Sequence, residues 1–211
     1  MTSKQDLLEF WTKSKIITDK KLLSAFKKIP RENFIPESMK EEAYEDIPLP
    51  IGEGQTISQP TTVMLMTQAL ELKPGDKVLE VGAGSGYQAA IIAYIVGKKG
   101  KVITTEIIPA LMEMVNKNLK KLGIKNVHII NTDGSLGYEK EAPYGRIIVT
   151  AASPAIPKPL EGQLKEGGII VIPVGEFEQD MVKAIKKAGK LEKTSLGAFR
   201  FVPLKGKYGF S

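Results

Sequence analysis

The sequence predicts an α/β fold: a doubly wound, mostly parallel sheet, preceded by a helical extension and ending in an antiparallel pair of strands. From residue 77 onward, short apolar runs alternate with helix-length segments, a pattern typical of parallel strands covered by helices on both faces. Residues 1–30 contain two amphipathic, helix-like segments. Near the end, Gly189-Lys190 forms a turn signal that divides residues 179–204 into two strand-length pieces.

The N-terminal segment contains two predicted helices. They cover residues 4–13, behind Ser3, and 19–28, behind Thr18, because serine and threonine readily cap a helix N-terminus. Residues 31–59 are predicted to be irregular, since five prolines and glycines interrupt them. This stretch is nevertheless too apolar for disorder, and a long loop of this kind inside a compact domain is usually functional.

The core of the fold is predicted from Pro60 onward. Proline is well suited to the first position of a helix, and we expect this helix to run over residues 60–72. The elements predicted beyond it are strands over 77–81, 101–106, 127–131, 146–150 and 168–173, and helices over 87–96 and 109–122. The 211 residues are expected to form one domain, with residues 1–59 as its N-terminal helices and loop and residues 60–211 as its core and final strands.

The composition excludes several kinds of chemistry. The chain has no cysteine and a single histidine, His128, which excludes disulfides, thiol nucleophiles and cysteine-based metal sites, and makes a metal site improbable. His128 falls in a strand that we expect to be buried. No apolar run is long enough to cross a bilayer, and acidic residues stand where a signal peptide needs an apolar core. The prediction is a cytoplasmic protein without a membrane partner.

The net charge of +6 raises the possibility of a nucleic-acid partner. Only three of the 30 basic residues are arginines. Proteins that recognise bases or bind phosphates through two hydrogen bonds favour the planar guanidinium group of arginine. We therefore interpret the charge as a solvated surface and expect no nucleic-acid partner.

The strongest local signal is the glycine-rich stretch E-V-G-A-G-S-G-Y, which begins at Glu80. It follows a predicted strand and opens a helix, so Gly82, Gly84 and Gly86 can bring the backbone close to a ligand. A dinucleotide fingerprint would need glycine where this chain has Tyr87. The carboxylate of Glu80 would repel a pyrophosphate and attract a cation. The pattern indicates S-adenosylmethionine (SAM), which carries sulfonium and ammonium groups and no phosphate.

Two more acidic residues follow successive predicted strands. Glu106 ends the second strand, where a carboxylate can accept both ribose hydroxyls, and Asp133 follows the third, where it can accept from the adenine amino group. Their neighbours Ile107 and Gly134 are expected in the same site, and so is Tyr87, the last residue of the glycine-rich stretch. Three acidic residues at three successive strand ends favour a cofactor site over an ordinary strand-to-helix turn.

Residues and motifs that the chain lacks exclude some classes of methyl acceptor. Methylation at a pyrimidine carbon normally needs a cysteine nucleophile, and exocyclic amino methylation usually shows a D/N-P-P-Y/F turn where this chain has T-A-A-S-P at residues 150–154. A carboxylate acceptor needs no general base, because it is already ionised at neutral pH. Ser58, in the stretch G-Q-T-I-S-Q-P at 54–60, could hold such a carboxylate. Taken alone, Ser58 is better interpreted as the N-cap of the next helix.

From about residue 20 to the C-terminus, the sequence closely resembles the protein-L-isoaspartate O-methyltransferases. The stretches that carry the resemblance are 31–36, 43–46, 48–60, 78–90, 133–137, 142–152 and 201–204, the last reading F-V-P-L. The resemblance implies a Rossmann-like methyltransferase that repairs damaged proteins and peptides. Its reaction would move a methyl group from SAM to the α-carboxylate of L-isoaspartyl residues, giving a methyl ester that closes to a succinimide.

The resemblance also implies roles for individual residues. Ser58 matches the active-site serine of the family, which raises its catalytic interpretation above capping. Thr56, Ile57 and Val202, together with Ser58, match the substrate-binding segments, and Gln59 is expected near the cofactor. An RNA base methyltransferase and a non-catalytic nucleotide-binding module remain alternatives.

Overall fold

The computed structural model describes residues 2–210. The helices are α1 (Lys4–Lys13), α2 (Lys20–Lys28), α3 (Pro60–Ala69), α4 (Tyr87–Val96), α5 (Pro109–Lys121) and α6 (Lys158–Gln163). The strands are β1 (Leu49–Gly52), β2 (Gln55–Ile57), β3 (Lys77–Val81), β4 (Lys101–Glu106), β5 (Val127–Asn131), β6 (Tyr144–Val149), β7 (Leu164–Val174), β8 (Gln179–Lys187) and β9 (Lys190–Phe199).

Seven strands form the central sheet in the order β5-β4-β3-β6-β7-β8-β9. The strands from β5 across to β7 pair in parallel, and β8 and β9 are antiparallel. The predicted doubly wound sheet with an antiparallel C-terminal pair is therefore confirmed. The chain leaves β3 for β4 on one side and later returns to β6 on the other, so the crevice beyond the carboxyl end of β3 is the expected ligand site of this topology.

The sheet separates two apolar layers. The larger layer joins the N-terminal helices with α3, α4 and α5, and the smaller one packs around α6. Side chains alternate along β3, so Val78 belongs to the larger layer while Leu79 and Val81 belong to the smaller one. Glu80 therefore faces the same layer as Val78.

The ends of the two N-terminal helices follow from local capping. At α1, Ser3 and Asp6 form a capping box. At α2, the predicted cap is wrong by one residue: Asp19 accepts from the backbone N–H groups of Lys21 and Leu22. The carboxylate is the stronger acceptor at a helix N-terminus, and the Thr18 backbone N–H instead donates to the side chain of Gln68.

The irregular region predicted over 31–59 contains a short antiparallel hairpin, β1–β2, in which Leu49 pairs with Ile57. Gly52, Glu53 and Gly54 all adopt positive φ at its turn, so the glycines that discourage a long element make this tight turn possible. The prediction of a wholly irregular loop is wrong here. The hairpin ends directly before Ser58.

Other differences are small or arise from tertiary contacts. Helix α3 ends before the predicted residue 72, while β6 and β7 begin earlier than expected. His128 is exposed rather than buried, because β5 is the edge strand of the sheet. Within residues 2–210, no helix combines the length and apolar character needed to cross a membrane.

Candidate active site

The glycine-rich turn after β3 is shaped by backbone conformations that favour glycine. Gly82, Gly84 and Gly86 all have positive φ. A Cβ atom at Gly82 would lie 2.5 Å from Oγ1 of Thr150, and one at Gly134 would lie 2.5 Å from Oγ1 of Thr105. These close approaches leave a backbone-lined cradle at the carboxyl ends of β3 and β4, which suits a cofactor that must approach the chain closely.

Glu106, the last residue of β4, joins the two sides of this cradle. Its Oε2 accepts from the backbone N–H of Gly84 at 2.9 Å, and its Oε1 accepts from those of Ile107 and Ile108 at 2.9 and 3.0 Å. The side chain is buried but still lines the cleft. A carboxylate has about four acceptor sites, and the three N–H groups leave one on Oε2, so Glu106 can hold the glycine turn and accept a ribose hydroxyl together.

Three adjoining cavities surround this turn. We call the one at Glu106 the cofactor cleft; it is lined by Gly82, Gly84, Glu106, Ile107, Gly134, Thr56 and Val202, among others. The other two, which we call the acceptor cavities, share Thr56 and Ser58. One also contains Ile57 and Tyr87, and the other contains Gln59 and Val202. Thr56 borders all three cavities, so the residues predicted for the substrate lie beside those predicted for the cofactor.

Ser58 does not cap the helix that follows it. Gln59 occupies the N-cap position of α3, but its side chain makes no capping hydrogen bond. The backbone N–H of Thr61 instead donates to Oδ1 of Asp46 at 2.8 Å. Within residues 2–210 the Ser58 hydroxyl has no hydrogen-bond partner, and it borders both acceptor cavities. It is therefore available to a ligand.

Comparison with known proteins identifies the family. The model of the protein-L-isoaspartate(D-aspartate) O-methyltransferases matches residues 2–209. The chain belongs to this family. Its sequence is 56% identical to protein-L-isoaspartate O-methyltransferase 2 of Archaeoglobus fulgidus over 90% of the chain and 88% of that relative. It is 47% identical to the Methanoculleus marisnigri enzyme over 98% of the chain and 93% of that relative.

Solved structures of isoaspartate methyltransferases share the whole fold. One, titled protein-L-isoaspartate O-methyltransferase, superposes with a TM-score of 0.90 at 32% identity, covering 98% of this chain and 67% of the other. A second, titled as a putative member of the family from Plasmodium falciparum in complex with S-adenosyl-L-homocysteine, gives 0.86 at 30% identity, covering 97% and 99%. This chain is a SAM-dependent methyltransferase, as the glycine turn predicted, and the family assignment replaces the two alternatives.

Five residues predicted to bind the cofactor do not line the cleft of this isoaspartate methyltransferase family member: Gln59 and Tyr87, which border the acceptor cavities, and Gly86, Asp133 and Glu80. Gly86 lies where α4 starts against α5, and a Cβ there would approach Val115 to 3.1 Å. Asp133 is bound on both oxygens: Oδ1 accepts from the backbone N–H of Ser135 and Oδ2 from that of Lys207. Its carboxylate thus fastens the C-terminal segment to the cleft wall, while its neighbour Gly134 lines the cleft.

Glu80 is the fifth. Its side chain is fully buried, and neither carboxylate oxygen has a hydrogen-bond partner among the described residues. Its register partner on β4 is Thr104, which is also fully buried. Burial raises the pKa of Glu80 to about 8; the nearby hydroxyl of Thr104 opposes this increase, and the charge of Glu106 adds to it. Glu80 therefore lies beneath the cleft rather than in its wall, which differs from the direct cation contact predicted from the motif.

Thr150 is a site residue that the sequence reasoning did not assign. It borders the cofactor cleft and both acceptor cavities. Its hydroxyl lies 2.7 Å from the carbonyl oxygen of Gly82, so it supports the glycine turn from the neighbouring strand. The available signal was its position directly after β6, because ligands of this fold bind beyond the carboxyl ends of the strands.

Proposed function

We propose that this chain transfers a methyl group from SAM to the α-carboxylate of L-isoaspartyl residues in damaged proteins and peptides, and that Ser58 holds that carboxylate. The observation that carries the proposal is the Ser58 hydroxyl, which has no partner within residues 2–210 and borders both cavities next to the cofactor cleft. Family membership supports the substrate class.

In this proposal the cofactor is held by the cradle. The remaining acceptor site on Oε2 of Glu106 would take a ribose hydroxyl, and the backbone at Gly82, Gly84 and Gly134 would lie against the cofactor. When bound, SAM supplies an electrophilic methyl group. Ser58 donates its hydroxyl hydrogen to one oxygen of the acceptor carboxylate, which leaves the other oxygen free to face the methyl group. Thr56, Ile57 and Val202 line the space for the rest of the substrate chain.

The acceptor cavities contain little acid–base machinery, and this supports a carboxylate acceptor. Among residues 2–210, Tyr87 and Arg200 are the only titratable residues that line them. Burial raises the pKa of Tyr87 well above its usual range, and an arginine stays protonated, so neither can act as a base at neutral pH. A carboxylate needs none, since it is already ionised. Correct placement and removal of water are then the main contributions of the protein.

The direct test compares an isoaspartyl peptide with its normal aspartyl twin, using SAM labelled in the methyl group. We expect base-labile labelled ester to form on the isoaspartyl peptide and not on the twin. Equal labelling of both peptides, or of neither, would refute the proposal.

Replacement of Ser58 by alanine is expected to lower kcat/KM for the isoaspartyl peptide by about 10–100-fold, the range for losing one hydrogen bond to a charged group. The dissociation constant of S-adenosylhomocysteine should change by less than about twofold, since Ser58 lies outside the cofactor cleft. Steady-state kinetics and calorimetric titration measure the two quantities. Ser38→Ala removes an exposed hydroxyl and serves as the control. An equal loss in both quantities would show that Ser58 does not act on the acceptor.

Arg200 is expected to favour peptides with acidic residues beside the isoaspartyl residue. It is exposed, lines one acceptor cavity with Ser58, and forms no ion pair within residues 2–210. An exposed pair contributes up to about 1 kcal/mol, so Arg200→Gln should reduce a preference for an acidic over a basic flank by about fivefold. The comparison uses kcat/KM at low and high salt. Lys193→Gln removes the same charge from an exposed part of β9, and an equal effect from it would assign the preference to net charge alone.

A further inference from the structure

The start of helix α3 is held by a residue from a distant part of the sequence. Pro60, its first residue, has no backbone N–H, and Gln59 provides no side-chain cap. The next residue, Thr61, donates its backbone N–H to Oδ1 of Asp46 at 2.8 Å and its hydroxyl to Oδ2 at 2.6 Å. One carboxylate thus binds both donor groups of one threonine, which fixes the position and the orientation of the first turn of α3.

These two hydrogen bonds close the base of a loop. We call residues 46–61 the clasped loop. It contains the hairpin β1–β2, in which Leu49 pairs with Ile57, and then Ser58. The hairpin fixes Ser58 from one side, and the joined ends at Asp46 and Thr61 fix it from the other. Only Gln59 and Pro60 separate Ser58 from Thr61, and the proline ring removes one backbone rotation from this short connection.

The N-terminal helices reach the clasped loop through one further hydrogen bond. The indole N–H of Trp11, on α1, donates to Oγ1 of Thr61 at 2.8 Å. Trp11 is fully buried and packs edge-on against Phe26 of α2, with ring centroids 4.6 Å apart. An indole can only donate and an ionised carboxylate can only accept. The Thr61 hydroxyl must therefore point its hydrogen at Asp46, and Trp11 keeps it in that orientation.

We propose that Asp46 and Thr61 act as positioning residues for methyl transfer, holding Ser58 toward the acceptor, and that Trp11 makes the N-terminal helices part of this apparatus. The inference rests on the role proposed for Ser58. We call the pair Asp46 and Thr61 the clasp, and neither of these two residues lines the cofactor cleft. It should consequently act on turnover and on peptide use much more than on cofactor binding.

The test compares Thr61→Val, which removes the hydroxyl while keeping the branched shape and the backbone N–H, with Thr61→Ser, which keeps the hydroxyl. We expect Thr61→Val to lower kcat for the isoaspartyl peptide by about tenfold, the usual scale for one charge-assisted hydrogen bond. Thr61→Ser should recover most of that loss. The dissociation constant of S-adenosylhomocysteine should rise by no more than about threefold in either variant. Equal kinetics for the two variants would overturn the proposal.

A double-mutant cycle separates positioning from general stability. If the clasp acts through Ser58, Thr61→Val should cost little further activity in the Ser58→Ala background, because the positioned hydroxyl is already gone. A full tenfold loss in that background would overturn the proposal. Trp11→Phe removes the N–H and keeps a smaller aromatic ring at this buried position, so its coupling to Ser58→Ala, and not its own loss of activity, is the informative quantity. If Thr61→Val does not fold, the same cycle with Trp11→Phe decides, with an additive loss again counting against the clasp.

Wild-type activity distinguishes this proposal from the one it rests on. A wild-type chain that does not prefer the isoaspartyl peptide over its aspartyl twin refutes the proposed function. A wild-type chain that shows the preference while Thr61→Val retains full kcat refutes the clasp alone. Hydrogen exchange gives an independent measurement on the full chain, because Thr61→Val should speed exchange in residues 47–58 and leave β3 and β4 unchanged. Unchanged exchange in the loop would contradict the clasp.

Discussion

Replacement of Glu106 by glutamine is expected to weaken the binding of S-adenosylhomocysteine by about 100-fold. The carboxylate accepts three backbone N–H groups, from Gly84, Ile107 and Ile108. A glutamine amide has one oxygen, so its NH₂ group must face at least one of these donors. The variant also loses the charge-assisted hydrogen bond proposed for a ribose hydroxyl, and losing a hydrogen bond to a charged group costs up to about 3 kcal/mol, which corresponds to about 100-fold in affinity. The glycine turn, which borders the same cleft, should be displaced as well.

Calorimetric titration of the variant measures this loss. Glu113→Gln is the matched control, since Glu113 is an exposed residue of the adjacent helix α5 and the substitution removes the same charge. At saturating SAM, kcat of Glu106→Gln should fall by less than about tenfold, because Glu106 does not border the acceptor cavities. Affinities within threefold of each other for the two variants would mean that Glu106 contributes only its charge.

The elements nearest the cofactor cleft could be predicted well because their signals are local. The bounds of β3, α4, β4 and β5 agree with the sequence prediction, since each apolar run ends at a glycine, a proline or a polar residue within a few positions. The backbone-lined cradle could be predicted from the same kind of local signal. Glycines with positive φ at Gly82 and Gly84 and a carboxylate at Glu106 are features of single strand ends, and single strand ends can be recognised in one sequence.

The roles that could not be predicted depend on partners far away in the sequence. Ser58 is a plausible N-cap in the sequence alone, but in the structure Asp46 provides the acceptor for the backbone N–H of Thr61, which lies 15 positions further along the chain. Asp133 stands correctly after β5, yet a backbone N–H 74 positions later occupies its Oδ2. In both cases the local pattern identifies a side chain that can form hydrogen bonds, but the tertiary structure determines which hydrogen bonds are formed.

Glu80 shows the same limit for electrostatics. The motif places a carboxylate two residues before Gly82, and its charge was expected to attract the cofactor. Alternation along β3 turns Glu80 toward the layer of α4 and α5, where it is fully buried. A buried carboxyl group without an ionic partner is more stable with its proton bound, so its contribution to the protein is a pH-dependent stability rather than a fixed charge.

The stability of the chain is therefore expected to fall between pH 5 and pH 9, and Glu80→Gln should abolish part of this fall. The pKa of Glu80 rises from its ordinary 4.5 to about 8 in the folded state. Between these values the folded state keeps a proton that the unfolded state has released, so raising the pH favours unfolding. At about 1.4 kcal/mol per pKa unit, the loss is on the order of 4 kcal/mol over this range. Glutamine is a neutral isostere and cannot ionise.

Denaturant unfolding of the wild type and Glu80→Gln at pH 5 and pH 9 tests this directly. The variant should be similar to or slightly less stable than the wild type at pH 5, and its stability relative to the wild type should rise by roughly 4 kcal/mol between pH 5 and pH 9. Glu139→Gln, at an exposed position, should leave the difference between the two pH values unchanged. A carboxylate that is ionised in the folded state and contacts SAM would behave differently: Glu80→Gln would shift stability equally at both pH values and weaken SAM binding at neutral pH. Those two results together would contradict the buried, protonated state of Glu80 and indicate that it contacts the cofactor directly.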